Sequence, residues 1–286
     1  MLGKLLKYEF KSISRLMIPL FIGIFAASLL GAGAISLEVF LTKAIENNAF
    51  VGFMMAGLMM VIGLLFLAIL AASFVSMFII MQRFYKSCYS DEGYLTFTLP
   101  VTTNQILLSK TISGFIWTII NAVVIIISVI VSGFIIYFAT GGNLTDAWAG
   151  IQDIFEFFIS AVGLNVDAIE VIFILLEYLI LIIVAALYSI LLVYLSITIG
   201  CQVARKHKIL ASLGFFFIIT MGISMVNSVI QFIIMIPLGF GMQSSTYSFT
   251  NYYHITNWSN IILSAAIAIG SYFICRHIMN KKLNLE

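Results

Sequence analysis

Residues 50–81 read FVGFMMAGLMMVIGLLFLAILAASFVSMFIIM, with no charged residue and no proline. A helix needs about 20 apolar residues to cross the hydrocarbon core of a bilayer, which is about 30 Å thick. At about 1.5 Å per residue this run would reach about 48 Å, so it must tilt strongly or extend beyond one membrane surface. The stretch therefore predicts a transmembrane helix.

Other apolar runs of comparable length occur along the whole chain. Together they predict six spans, numbered here in chain order: 17–36, 50–81, 111–139, 171–200, 210–238 and 257–276. The 286 residues are 62% hydrophobic and only 9% charged, whereas a soluble domain carries about 25% charged residues. We therefore predict an all-α, polytopic membrane protein in which residues 1–286 form a single six-span domain.

The basic residues predict the orientation of these spans. Nearly all of them lie before span 1, between spans 2 and 3, between spans 4 and 5, or after span 6, and only Lys43 lies elsewhere. Cytoplasmic connections carry the excess of Lys and Arg. We therefore expect a cell-membrane protein with both termini in the cytoplasm. The connection 140–170 contains acids and no base, and is predicted to be an external loop.

The N-terminal residues 1–16 predict an amphipathic helix that lies in the membrane surface. Apolar residues recur at helical spacing in this leader, with lysines on the opposite side. A cleavable signal peptide is the alternative, because residues 32–34 read Ala-Gly-Ala, as a cleavage site does. The leader is longer than a usual basic n-region, which favours the interfacial helix.

Span 1 carries small residues at four-residue spacing, namely Gly23, Ala27 and Gly31. Small residues stacked on one helix face let two helix backbones approach closely in a membrane. The stripe predicts a helix interface, either within this chain or with a second subunit.

Glu177 is the one acid within the apolar run 171–200. A charge at the bilayer centre costs about 2.5–3.5 kcal/mol, and an intramembrane acid suggests a proton relay or a cation contact. The run is long enough for its first two turns to stand outside the hydrocarbon. We therefore expect an external, solvated Glu177 in preference to a buried one.

Amide side chains within the predicted spans include Asn121 in span 3 and Asn227 and Gln231 in span 5. Polar side chains must find partners in lipid, because no water reaches them there. Hydrogen bonds between helices would meet this need. The alternative is that these amides and Glu177 line a cargo path.

The segment after span 5 predicts an interruption of the helix. Residues 237–241 read Pro-Leu-Gly-Phe-Gly, which favours a helix stop. The uncharged, aromatic segment that continues to Trp258 is predicted to form a re-entrant or surface-lying element. The three cysteines and three histidines are scattered, so no metal site and no disulfide framework is predicted.

The joint 82–110 is the longest predicted cytoplasmic connection and has the features of a docking site. A charged turn precedes apolar and aromatic side chains, a proline break, and Thr102 or Thr103 as a helix cap. Protein interfaces favour aromatic anchors. The alternative is a loop folded back on the ends of this chain's own helices. The predicted docking residues are Asp91, Glu92, Gly93, Tyr94, Leu95, Phe97, Leu99, Pro100, Thr102 and Asn104.

In these segments the chain resembles the permease subunits of ABC-2-type ATP-binding-cassette exporters, especially the short ones of Gram-positive bacteria. The resemblance rests on Tyr8-Glu9-Phe10 in the leader, the stretch 91–100, Ser109-Lys110, and six spans over the whole chain. It implies a type V exporter-like architecture. It also implies a coupling helix between spans 2 and 3, a surface helix before span 1, a second identical or related permease, and cytoplasmic ATP-binding subunits.

No Gly-x-x-x-x-Gly-Lys-Ser/Thr run occurs in the sequence, so this chain is not expected to bind nucleotide by a P-loop. We predict no enzymatic activity and no cofactor of its own; ATP and Mg²⁺ would be bound by the partner ATPase. An apolar or amphipathic cargo (a lipid, a membrane-active peptide or a drug-like compound) is expected, and nucleic acid is not. The alternatives are an ion- or proton-coupled secondary carrier, and a non-transporting membrane sensor or scaffold.

Overall fold

The computed structural model describes residues 2–44, 49–98, 100–139, 141–142, 152, 168–204, 206–243 and 249–281. The regular structure of these residues is entirely helical. The helices are α1 (Leu2–Ala44), α2 (Ala49–Tyr89), α3 (Asp91–Thr98), α4 (Thr103–Ala139), α5 (Ala168–Val203), α6 (Lys208–Gln243) and α7 (Phe249–Lys281).

Every helix except α3 is long and apolar enough to cross a membrane. This confirms the prediction of an all-α chain with six helices that could span a bilayer. Each helix extends beyond the apolar run that predicted it, because the flanking polar turns continue the helix. The predicted external loop 140–170 lies mostly outside the described residues.

The leader and the first predicted span belong to one helix. α1 runs from Leu2 to Ala44 without interruption and contains Pro19. Residues 2–16 are therefore the first turns of α1, and their location in the membrane surface stays a prediction.

The predicted helix stop at residues 237–241 is wrong, since α6 continues to Gln243. A proline within a helix removes one backbone donor and can kink the helix without ending it. The predicted re-entrant element is also wrong for residues 249–258, which form the first turns of α7.

The chain contains two compact units. The first unit comprises residues 1–6, 81–115 and 156–286, and the second comprises residues 7–80 and 116–155. The prediction of one six-span domain stays a prediction.

In the first unit, α5 packs against both α6 and α7. Residues 190–198 of α5 are all buried, as expected of a helix that is apolar on every side and lies at the centre of a bundle. α7 buries residues at helical spacing along one face, namely Asn257, Ile261, Ala268, Ser271, Cys275 and Met279.

The turn between α5 and α6 brings two helices into close contact at a glycine. A Cβ atom added at Gly200 would lie 2.5 Å from the Cα atom of Ser212. Only a residue without a side chain allows this approach of the two backbones. Gly200 therefore fixes how α6 folds back along α5.

In the second unit, α1 packs against α4 through aromatic and hydroxyl side chains. The ring of Trp117 lies 5.4 Å from that of Phe10 and 5.9 Å from that of Phe21, measured between centroids. Ser132 Oγ donates a hydrogen bond to the carbonyl oxygen of Ser28 (3.2 Å).

Candidate functional site

The predicted docking segment forms the short helix α3, which is fixed to the end of α2. The backbone N–H of Gly93 donates to the carbonyl oxygen of Ser90 (2.7 Å) and closes the turn between the two helices. Arg83 Nη1 lies 3.1 Å from Glu92 Oε2, which ties the first turn of α3 to the last turns of α2.

Two neighbouring apolar side chains of α3 point away from the described part of the chain. Tyr94 is 66% exposed and Leu95 is 68% exposed, while Phe97 is half-buried. The alternative of a loop folded back on the helix ends does not hold for Tyr94 and Leu95. Pro100 is exposed as well, and Leu99 lies outside the described residues.

Thr102 caps the helix that follows the docking segment. Its Oγ1 accepts from the backbone N–H of Gln105, and Gln105 Oε1 accepts from the backbone N–H of Thr102, both at 3.4 Å. This reciprocal pair is a capping box. Of the two predicted caps, Thr102 is therefore the one that the structure uses.

Asn104 serves as an internal link in the structure. Its Oδ1 accepts a hydrogen bond of 2.5 Å from the hydroxyl group of Tyr272. The start of α4 is thereby joined to α7 within the first unit.

The helix ends on both sides of α3 are anchored to α5 or to each other. The rings of Phe84 and Tyr194 stack with centroids 3.9 Å apart, and the hydroxyl group of Tyr194 donates to the carbonyl oxygen of Lys110 (3.1 Å). The buried Lys110 Nζ donates to Ser87 Oγ (2.5 Å). α3 is thus carried by two fixed helix ends.

Glu177 is buried between α5 and α7, with 8% of its surface exposed. Its Oε1 accepts a hydrogen bond from Trp258 Nε1 (2.8 Å) and lies 2.7 Å from His254 Nδ1. The expectation of a solvated Glu177 is therefore wrong. Two side chains from α7 replace water at Oε1.

The predicted amides have different surroundings. Gln231 Nε2 donates to Ser259 Oγ (3.0 Å) and to Asn260 Oδ1 (3.1 Å), which joins α6 to α7 and confirms a hydrogen bond between helices. Asn227 Oδ1 and Asn121 Oδ1 are buried and find no hydrogen-bond partner among the residues that the structure describes. Asn121 belongs to the second unit.

The small-residue stripe does not bring two backbones together in the described part of the chain. A Cβ atom added at Gly23 would meet no described atom within 4 Å, and one added at Gly31 would meet only Leu65 Cδ1, at 3.9 Å. The role of Gly23, Ala27 and Gly31 in a subunit interface stays a prediction.

His254 and Trp258 were not predicted as site residues. They lie four residues apart on one face of α7. The sequence did contain a signal for such residues, because an acid within an apolar run, here Glu177, needs a nearby partner. The described residues hold no group of three ligating side chains suited to a metal ion.

The chain matches no protein-family model, no curated protein and no solved structure.

Proposed function

We propose that this chain is the transmembrane subunit of an ATP-driven exporter of the ABC-2 type, located in the cell membrane with both termini in the cytoplasm. The observation that carries the proposal is the exposed pair Tyr94 and Leu95 on α3. Two adjacent large apolar side chains on a short, anchored helix between two candidate spans suit a docking site for a soluble protein.

The anchoring of α3 supports a role in transmitting force. Arg83 and Glu92 connect α3 to α2, and the capping box of Thr102 leads directly into α4. The contacts of Tyr194 with Phe84 and Lys110 connect both helix ends to α5. A push on α3 would thus move packed helices as rigid elements, which is how transporters change between conformations.

The proposed partners follow from this arrangement. A cytoplasmic subunit would bind ATP and Mg²⁺ and would contact Tyr94 and Leu95. A second permease, identical or related, would pack on the stripe formed by Gly23, Ala27 and Gly31. The cargo would be apolar or amphipathic, since the spans offer few charged side chains to a polar cargo.

The test is affinity purification of the chain from its native membranes. Wild type is expected to retain a P-loop ATPase, and the double variant Tyr94→Ala, Leu95→Ala is expected to lose it. Leu210→Ala is the matched control, because Leu210 is equally exposed but lies at the start of α6. Absence of an ATPase from the wild-type sample, or equal retention by the double variant and the control, would overturn the proposal.

A further inference from the structure

Glu177 has one satisfied and one unsatisfied carboxylate oxygen. Both nearby nitrogen atoms, Nε1 of Trp258 and Nδ1 of His254, lie at Oε1. Oε2 is buried and has no hydrogen-bond partner in the described part of the chain. Unsatisfied buried polar atoms are uncommon in proteins, and each requires an explanation.

The negative charge of the buried carboxylate must be compensated as well. A buried carboxylate is costly unless a positive charge or further hydrogen bonds compensate it. A metal cation such as Ca²⁺ needs about six to eight oxygen ligands, and the described residues offer no cluster of metal-ligating side chains. Oε2 also lacks the accessible surface that an organic cation would need. A proton requires neither ligands nor space.

His254 provides a place for this proton. Its Nδ1 contacts Glu177, while the side chain as a whole remains 27% exposed. Histidine is the side chain most suited to take up and release a proton near neutral pH. Trp258 holds the carboxylate in place from the same face of α7.

The other titratable side chains near Glu177 do not take the place of Glu177 and His254 as the proton-binding pair. On α5, Glu170 is exposed and Tyr178 adjoins Glu177. On α7, Tyr252 and Tyr253 precede His254, and Tyr178 interacts with Tyr253. Residues 209–243 of α6 include no titratable side chain. One acid and one imidazole therefore dominate the charge of the site.

We propose that Glu177 and His254 together form a proton-binding site that joins α5 to α7. The bound proton is shared by the two side chains, and it strengthens the contact between the two helices. The proposal does not rest on ATP-driven transport, since it concerns only contacts within the first unit.

The test is nuclear magnetic resonance on the full chain in lipid nanodiscs, with ¹⁵N in histidine and ¹³C in glutamate side chains. The titration runs from about pH 4 to about pH 9, which includes the ordinary ranges of both groups. Strongly interacting groups titrate as a pair and show the same steps. We expect the signals of Glu177 and His254 to shift together, at common midpoints.

Variants assign the signals and control the result. Glu177→Gln and His254→Gln each remove one signal, and the remaining signal should then follow a single, altered step. His277→Gln, on the same helix, should leave the joint transition unchanged. Separate midpoints for the two wild-type signals, or a His254 signal that does not respond to pH, would overturn the proposal. The wild-type titration needs no variant to fold.

Discussion

Glu177 Oε1 and His254 Nδ1 lie 2.7 Å apart although 77 residues separate them. Thr198 Oγ1 and Cys275 Sγ, which lie 3.8 Å apart, have the same separation of 77 residues. A constant offset between contacts shows that α5 and α7 run parallel and in register. The polar contact of Glu177 is therefore a consequence of how the two helices pack along their length.

A double-mutant cycle should detect the contact between Glu177 and His254. We expect the effects of Glu177→Gln and His254→Gln on thermal stability in detergent to be non-additive, with a coupling of about 0.5–3 kcal/mol. The pair Glu177→Gln and His277→Gln should be additive, since the structure shows no contact between these two described residues. Additive effects for both pairs would contradict the observed geometry.

Gly200→Ala should destabilise the chain. The new Cβ atom would lie 2.5 Å from Ser212 Cα, and overpacking of this kind costs about 1–3 kcal/mol. The measurement is the melting temperature of the purified protein. Gly214→Ala is the control, because an added Cβ there meets no described atom within 4 Å. Equal melting temperatures for the two variants would show that α5 and α6 are not in close contact here.

Gln231→Leu and Asn227→Leu should differ in their effects. Gln231 joins α6 to α7 through Ser259 and Asn260, and hydrogen bonds between membrane helices contribute about 0.6–2 kcal/mol. Asn227 Oδ1 has no partner among the described residues. We expect Gln231→Leu to lower the melting temperature and Asn227→Leu to leave it unchanged or raise it. The reverse order would count against the packing of α6 on α7.

Thiol labelling should establish the orientation of α3. The native Cys88, Cys201 and Cys275 are all buried, so the wild type should react little with a membrane-impermeant maleimide. Leu95→Cys should be labelled only after the membrane is opened, because the positive-inside rule places α3 in the cytoplasm. Asn143→Cys, in the connection predicted to be external, should be labelled in intact cells. Labelling of Leu95→Cys in intact cells would exclude docking to a cytoplasmic ATPase.

The candidate spans could be predicted from local features of the sequence alone. Lipid requires that each crossing segment satisfies its own backbone hydrogen bonds, so long apolar runs predict helices without any knowledge of neighbours. The predicted stop at residues 237–241 failed because a proline can kink a helix without ending it, and α6 continues to Gln243. The cap was predicted to be Thr102 or Thr103, and the capping box of Thr102 with Gln105, three positions away, identifies Thr102 as the cap.

The amino-acid sequence by itself determined the helical class and the six candidate spans, because these depend on residues within a few turns of each other. Only the tertiary structure decided the environment of Glu177 and the partners of Gln231. Those contacts join residues that are far apart in the sequence, and they depend on which helices pack together and in which register. An apolar side chain interacts about as well with lipid as with another apolar helix, so the apolar runs do not predict which helices pack together.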